Sequence, residues 1–339
     1  MTSKNVKILF FVVKQMVETL SMLGCRLQNF GADATSRDII AQAVAANEWF
    51  SEADILMAVD AIRREFLSPE KLTSWLSHYD ITSTPRRRVA IIMAGNIPLV
   101  GFFDLMCVLA CGHEALVKPS HKDSVLTNYI ISELKAIAPD IPISDYTPSA
   151  QVDMVIATGG DSAAAHFRKA YANLPTLIRG SRHSVAVLGG EESPADVEAL
   201  QRDIFSYNGL GCRNVSLVFL PRGVKLQLAQ PENIGAMYRG NYLSQRAMMS
   251  MMGVDFQDWG FCLSKESREF SDVISCLNYT YYDDLSEVEE WLASHDESLQ
   301  CIVSHCVKHP RAVEFGQAQY PTLYDYADGV DVMKFLTQK

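Results

Sequence analysis

Two rhythms of apolar and polar positions divide this chain of 339 residues. In the first part Ile55, Val59, Ile62 and Phe66 recur at helical spacing, with Ser51 placed to cap and Asp54 three residues on, so an amphipathic helix is expected over 51–67. A second helix is expected from Ser68-Pro69, with Leu72, Trp75, Leu76 and Tyr79 on one face. A largely helical region over 1–84 follows. After "TPRRR" the rhythm changes to short apolar runs at 89–93, 115–117, 153–157 and 184–188, which read as strands, separated by helices near 99–111, 123–137 and 161–171. Strands alternating with helices imply an α/β protein with a doubly wound parallel sheet covered on both faces, whose ligands sit beyond the carboxyl ends of the strands. A further helix starts at Ser193-Pro194, turns Val197, Leu200 and Ile204 inward and ends near Tyr207, with Gly209 as its left-handed stop and "VSLVFLP" as the next strand. The expected divisions are a helical region 1–84, a Rossmann-like domain 85–188, a second α/β domain 189–320 and a tail 321–339.

The apolar stretch from Val89 to Val117 is long enough to suggest a membrane span. Gly95, Asn96, Pro98 and Gly101 break it, so a buried strand, turn and helix are expected in its place. The N-terminal apolar run is interrupted by Lys14 and Glu18 and is too short for a secretory leader. A formal net charge of −10 leaves no electrostatic footprint for nucleic acid or an acidic membrane, so a small molecule or another protein is the expected partner. The 8 cysteines form no CxxC pair and sit in apolar stretches, which reads as reduced thiols of a cytoplasmic protein with no zinc cage. Cys301, His305 and His309 share helical spacing, but "QCIVSHC" reads as a strand with a helix starting at His309-Pro310, which sends the three side chains apart. The "RRR" at 86–88 reads as a solvated linker edge.

Four segments follow strands or precede one: "AGNIP" (94–98), "VKPSH" (117–121), "ATGGD" (157–161) and "GLGCRN" (209–214). Taken alone, each has an ordinary structural reading. Cys212 suits a tight turn as a small residue as well as it suits a nucleophile, and Asn96 can bond its own turn or point into the crevice. Glycines where a strand becomes a helix leave backbone N–H groups facing an anion, and Asp161 reads as the helix cap.

In order and spacing these segments resemble the aldehyde dehydrogenase superfamily, and more closely its acyl-CoA reductase branch of the LuxC type, over roughly residues 85–220. The resemblance implies an aldehyde dehydrogenase-like fold, with a cofactor domain followed by a catalytic cysteine domain. It implies that Cys212 attacks the acyl carbonyl, and that Asn96 with the cysteine's backbone N–H stabilises the oxyanion. It also implies that Lys118, Ser120 and His121 face the adenosine ribose, and that Thr158, Gly159 and Gly160 face the pyrophosphate of a nicotinamide cofactor. Relatives that use NAD often carry a glutamate where His121 stands. Lys118, His121 and Lys122 tolerate a ribose 2′-phosphate, so NADPH is the expected cofactor. Water-using aldehyde dehydrogenases carry a base in an "E-L-G-G" segment, and the segment matched to it here is "VLGG", with Val187 in the glutamate's place. The implied activity is NADPH-dependent reduction of a long-chain acyl thioester such as acyl-CoA to the aldehyde. A protein that delivers the acyl group and pairing into a homodimer are implied too. The alternatives are a CoA-acylating aldehyde dehydrogenase running in the oxidative direction and a non-catalytic acyl-binding or assembly subunit of the same fold.

Overall fold

The N-terminal rhythm folds into four helices, α1 (Ser3–Arg26), α2 (Ala34–Ala46), α3 (Glu52–Ala61) and α4 (Pro69–Leu76), the first two within the expected helical region but without individual bounds read from the sequence. This is a computed structural model, and it describes residues 3–81, 85–232 and 234–338. Asp33, Ser51 and Ser68 accept the N–H of Ser36, Asp54 and Lys71 and close the first turns of α2, α3 and α4. The helix expected over 51–67 changes pitch near its end, where Ile62–Phe66 forms a π-helical turn that keeps Ile62 and Phe66 buried. The chain divides into two units, residues 1–180 with 322–339, and residues 181–321.

The first unit carries the doubly wound sheet. Its elements are β1 (Arg88–Ile92), α5 (Phe102–Ala110), β2 (Glu114–Lys118), α6 (Ser124–Ile137), β3 (Ile143–Asp145), β4 (Met154–Thr158), α7 (Asp161–Ala170) and β5 (Thr176–Arg179). All pairs are parallel, in the order β3-β2-β1-β4-β5. The order reverses between β1 and β4, so the carboxyl ends of those two strands form the topological switch point. One face packs Val89, Ile91, Ala115 and Val117 against the N-terminal helices, α5 and α6. The other packs Ala90, Ile92, Val155 and Ala157 against Phe167 and Tyr171. The apolar stretch 89–117 is thus strand, turn, helix and strand, as its glycines and proline imply. Among the described residues no helix is long and apolar enough to cross a membrane.

Residues 322–339, expected as a tail, join this unit. Trp75 Nε1 donates to Tyr326 Oη at 2.8 Å, and Tyr79 shares a hydrogen bond with the same hydroxyl. Buried His113 accepts from the Arg87 N–H at Nδ1, so Nε2 carries the proton that it donates to the Leu336 carbonyl at 3.1 Å. Arg87 donates to the Gln338 carbonyl at 2.9 Å and Arg88 opens β1, so "RRR" borders a sheet and is no linker edge.

The second unit begins with β6 (His183–Val187), α8 (Pro194–Phe205), β7 (Val215–Pro221), α9 (Ala236–Met251) and β8 (Gln257–Asp258). It continues through β9 (Leu263–Glu266), β10 (Cys276–Tyr282), α10 (Leu285–Ser294), β11 (Leu299–Val303) and β12 (Ala312–Val313). They form a sheet in the order β12-β11-β6-β7-β10-β9-β8, parallel except for the β8–β9 pair. The run expected at 184–188 therefore belongs to the second sheet, because β6 pairs with β7 and β11, and the units divide after Gly180 rather than after 188. His309-Pro310 lies in a turn, not a helix.

Candidate active site

At the switch point of the first sheet, the segments after β1, β2 and β4 stand side by side. The ladder runs one residue past β1, where the Met93 N–H donates to the Lys118 carbonyl at 3.0 Å. A Cβ on Gly95 would lie 2.5 Å from the Ser120 side chain, so only glycine lets the Asn96 loop press against the loop that carries Lys118, Ser120 and His121. Buried Asp123 accepts the N–H of Leu99 at 2.9 Å and holds that residue in the left-handed region, φ 56°. Burial pushes the Asp123 carboxyl up to about 7, and its Oδ1 has no hydrogen-bond partner. Lys118, His121 and Lys122 are exposed and Asn96 is half-buried.

After β4, Thr158, Gly159 and Gly160 lead into α7. Gly160 is the N-cap residue, without a side-chain cap, and Asp161 is the first helical residue rather than the cap. The Gly159 N–H donates to the Arg179 carbonyl at 3.2 Å, so it extends the ladder, and the turn's donors for an anion begin at Gly160. A Cβ on Gly159 would lie 2.9 Å from that of Ala163, which keeps this turn close to its helix. Beneath it lies a buried ion pair that sequence reasoning missed. Arg179 donates to both Asp104 carboxylate oxygens, at 2.6 and 3.0 Å, and to the Thr158 hydroxyl at 3.3 Å. A glycine-lined turn, a helix start without a side-chain cap and exposed cations after β2 suit the pyrophosphate and ribose of a dinucleotide.

In the second unit, Cys212 lies in the turn between α8 and β7, and it is exposed, whereas Cys107, Cys111, Cys262, Cys276 and Cys301 are buried. Burial pushes the Cys107, Cys111, Cys262 and Cys276 thiols up, Cys262 to about 12, which keeps them protonated and unreactive. After α8 the chain turns left-handed at Tyr207, Asn208 and Gly209, with φ of 54°, 55° and 72°. The left-handed stop thus starts two residues before the glycine expected to make it. Asn214 stabilises this path. Its Nδ2 donates to the carbonyls of Asp203, Ile204 and Ser206 at 2.9 to 3.2 Å, and its Oδ1 accepts the Gly211 N–H at 2.8 Å. The Asn214 N–H closes a β-turn onto the Gly211 carbonyl at 3.0 Å, so Cys212 sits at a latched corner.

The neighbours of that corner are fixed as well. Arg213 donates to the Ala318 carbonyl at 3.2 Å, and buried Asp203 holds the same loop by accepting the N–H groups of Gly316 and Ala318 at 2.6 and 3.0 Å. Burial, offset in part by these two bonds, raises the Asp203 carboxyl to about 6, against about 4 in an unfolded chain. The folded state then binds the extra proton between those values, so this group's contribution to stability is present below about pH 4 and lost as pH rises through 6. It is worth roughly 3 kcal/mol. Urea unfolding at pH 4, 6 and 8 should show this fall in the wild type and a flatter profile in Asp203→Asn; parallel profiles would refute the assignment.

One expectation changes here. Val187 is buried at the end of β6, where its carbonyl accepts from Ser304 at 2.8 Å, and the N–H groups of Gly189 and Gly190 donate to Glu192. Because β6 is parallel to β7 with Ser184 beside Val215, "VLGG" lies at the opposite end of the strand from the Cys212 turn and says nothing about a base near the thiol. Cys301, His305 and His309 face Ser184, Glu314 and Asp296 respectively, three separate partners.

Comparison with known proteins bears on the family and the fold. The family model described as acyl-CoA reductase (LuxC) matches residues 34–232. A long-chain acyl-protein thioester reductase of Aliivibrio fischeri is 25% identical over 185 residues, which cover 47% of this chain and 38% of that protein's length. Among solved structures, aldehyde dehydrogenase 21 of Physcomitrella patens superposes with a TM-score of 0.62 at 12% identity, covering 82% of this chain and 70% of that one. Betaine aldehyde dehydrogenase of Staphylococcus aureus, solved with NAD+, gives 0.60 at 12% identity over 91% of this chain and 72% of its own. Such likeness shows an aldehyde dehydrogenase-like fold, and with the family match over more than half the residues it places this chain in the LuxC family of acyl-CoA reductases.

Proposed function

We propose that this protein reduces an acyl thioester to the aldehyde at the expense of a reduced nicotinamide cofactor, carrying the acyl group on Cys212. The observation that supports this most directly is the latched turn that presents the exposed Cys212 between pinned neighbours. The Cys212 sulfur forms a bond to the acyl carbon, the bond to the incoming thiol breaks, and that thiol leaves with a proton. Thioester exchange is nearly balanced, so the work of the protein is positioning and oxyanion stabilisation. The Cys212 N–H is one donor, and Asn96 is proposed as the second. When bound, the cofactor supplies a hydride to the acyl carbon. The thiohemiacetal at Cys212 then collapses, the thiolate leaves and the aldehyde is released.

Of the turn Thr158, Gly159 and Gly160, proposed to face the pyrophosphate, Gly160 would offer the first backbone donor while Thr158 and Gly159 shape the turn, and Lys118, Ser120 and His121 are proposed to hold the adenosine ribose. The residues from Lys118 to Lys122 carry cationic or neutral side chains, and the first carboxylate after them, Asp123, is buried. That arrangement favours NADPH over NADH. The long-chain preference rests on the name of the Aliivibrio fischeri relative, with CoA or a carrier protein as the acyl donor.

The test is intact-mass analysis after incubation with a long-chain acyl-CoA, followed by NADPH or NADH with aldehyde trapping. An acyl adduct discharged as aldehyde, with a higher kcat/KM for NADPH, is expected. An adduct that neither cofactor discharges would leave an acyl-binding subunit, and no adduct would sink the proposal.

A further inference from the structure

Ser184 is fully buried in β6, yet it reaches the Cys212 turn. Its hydroxyl donates to the Cys212 carbonyl at 2.8 Å, while the N–H and the thiol of Cys301 on β11 both approach its oxygen at 3.1 Å. A serine hydroxyl has one proton and two lone pairs. With both lone pairs occupied from the Cys301 side, the proton has one direction left, toward Cys212. The Gly211 carbonyl is turned into the β-turn by the Asn214 N–H, and in a trans peptide the N–H points opposite to the carbonyl, so the Cys212 N–H points out of the turn. Ser184 holds the next peptide, Cys212–Arg213. The two peptides that flank the Cys212 α-carbon are therefore each tied by one bond, one from Asn214 and one from Ser184.

We propose that Ser184 is a positioning residue for acyl transfer: while Asn214 orients the peptide that carries the Cys212 N–H, Ser184 anchors the Cys212 α-carbon from its carbonyl side, so that the donor to the developing oxyanion keeps its place. The inference rests on Cys212 being the acyl acceptor. Without the hydroxyl, the Cys212–Arg213 peptide loses its tie to β6 and the Cys212 α-carbon, which carries the N–H, is anchored from one side only; an oxyanion donor displaced by an ångström is a poor one.

The test compares two reactions of the same thiol. Acylation by a long-chain acyl-CoA passes through a tetrahedral oxyanion, whereas alkylation by iodoacetamide displaces iodide at a saturated carbon and builds none. Ser184→Ala is expected to slow acylation of Cys212 by roughly 100-fold, to leave alkylation within about 2-fold, and to leave the pH midpoint of alkylation unmoved. Ser184→Thr, which keeps the hydroxyl, should restore most of the acylation rate. If the Cys301 N–H left without its acceptor prevents Ser184→Ala from folding, Ser184→Cys keeps a weak acceptor there with a poorer donor and should show the same split. Equal slowing of both reactions, or of neither, overturns the positioning role while leaving wild-type acylation, and so the proposed function, intact. Failure of the wild type to acylate overturns the function and this inference together.

Discussion

Cys212→Ala is expected to abolish the acyl adduct and to lower thioester reduction by on the order of 10⁴-fold or more, the scale seen when a covalent nucleophile is removed from a site that otherwise remains assembled. Competing thiols make this a demanding prediction. Five of the other cysteines are buried, but Cys25 on α1 is exposed and Cys306 beyond β11 is half-buried. Neither has a comparable setting. Cys306 meets Ser304 and the Val187 carbonyl at the end of the sheet opposite the Cys212 turn. Cys25→Ala and Cys306→Ala should therefore keep both adduct and turnover. An adduct that persists in Cys212→Ala and disappears in Cys306→Ala would move the chemistry to the other end of the second sheet. Circular dichroism and the melting temperature of Cys212→Ala should match the wild type, because the turn is held by Asn214 and Ser184 through backbone atoms that alanine retains.

Much of the first sheet was legible because strands buried on both faces are continuous apolar runs, and the βα alternation is hard to mistake. β3 escaped because it is a short edge strand in which only Ile143 is buried, and β5 because its buried positions alternate with half-exposed ones. The run "SVAVL" was read correctly as a strand but assigned to the wrong sheet. An apolar pattern records burial, not the identity of the neighbouring strand, and a short match such as "VLGG" to "E-L-G-G" does not record which end of the strand faces the cysteine. The turn at Cys212 was legible from its glycines and the segment order. What holds it was not, since Ser184 lies 28 residues before Cys212 and 117 before Cys301, and local sequence does not encode those encounters. Its one signal is a serine inside an apolar run, a polar group that burial obliges to find partners.

Asp104 shows the same logic with a larger energetic stake. It sits in the first turn of α5, inside a stretch so apolar that its carboxylate stands out, and its partner Arg179 closes β5. Both side chains are less than a tenth exposed, at 8% and 6%. Asp104→Ala is expected to destabilise the first unit by about 3 kcal/mol, because it leaves the buried Arg179 guanidinium without its paired carboxylate, with the charge of Asp328 left to offset it and its Nε already lacking a partner. For a domain whose whole stability is about 5–15 kcal/mol, that is a large fraction. Urea unfolding followed by amide exchange of β4 and β5 reads the loss where it falls. The double variant Asp104→Leu/Arg179→Met should recover most of the stability, since an apolar pair of similar volume removes both the charge and its desolvation cost. It should not recover cofactor affinity. Arg179 also donates to the Thr158 hydroxyl, and its carbonyl receives the Gly159 N–H, so the ion pair orients the turn proposed to hold the pyrophosphate. NADPH binding, measured by quenching of protein fluorescence, should stay weakened in the double variant after its stability has returned. A double variant that regains both would make the pair purely structural. A single variant that loses less than about 1 kcal/mol would show that water reaches Arg179 and that the pair is not the buried clamp its geometry describes.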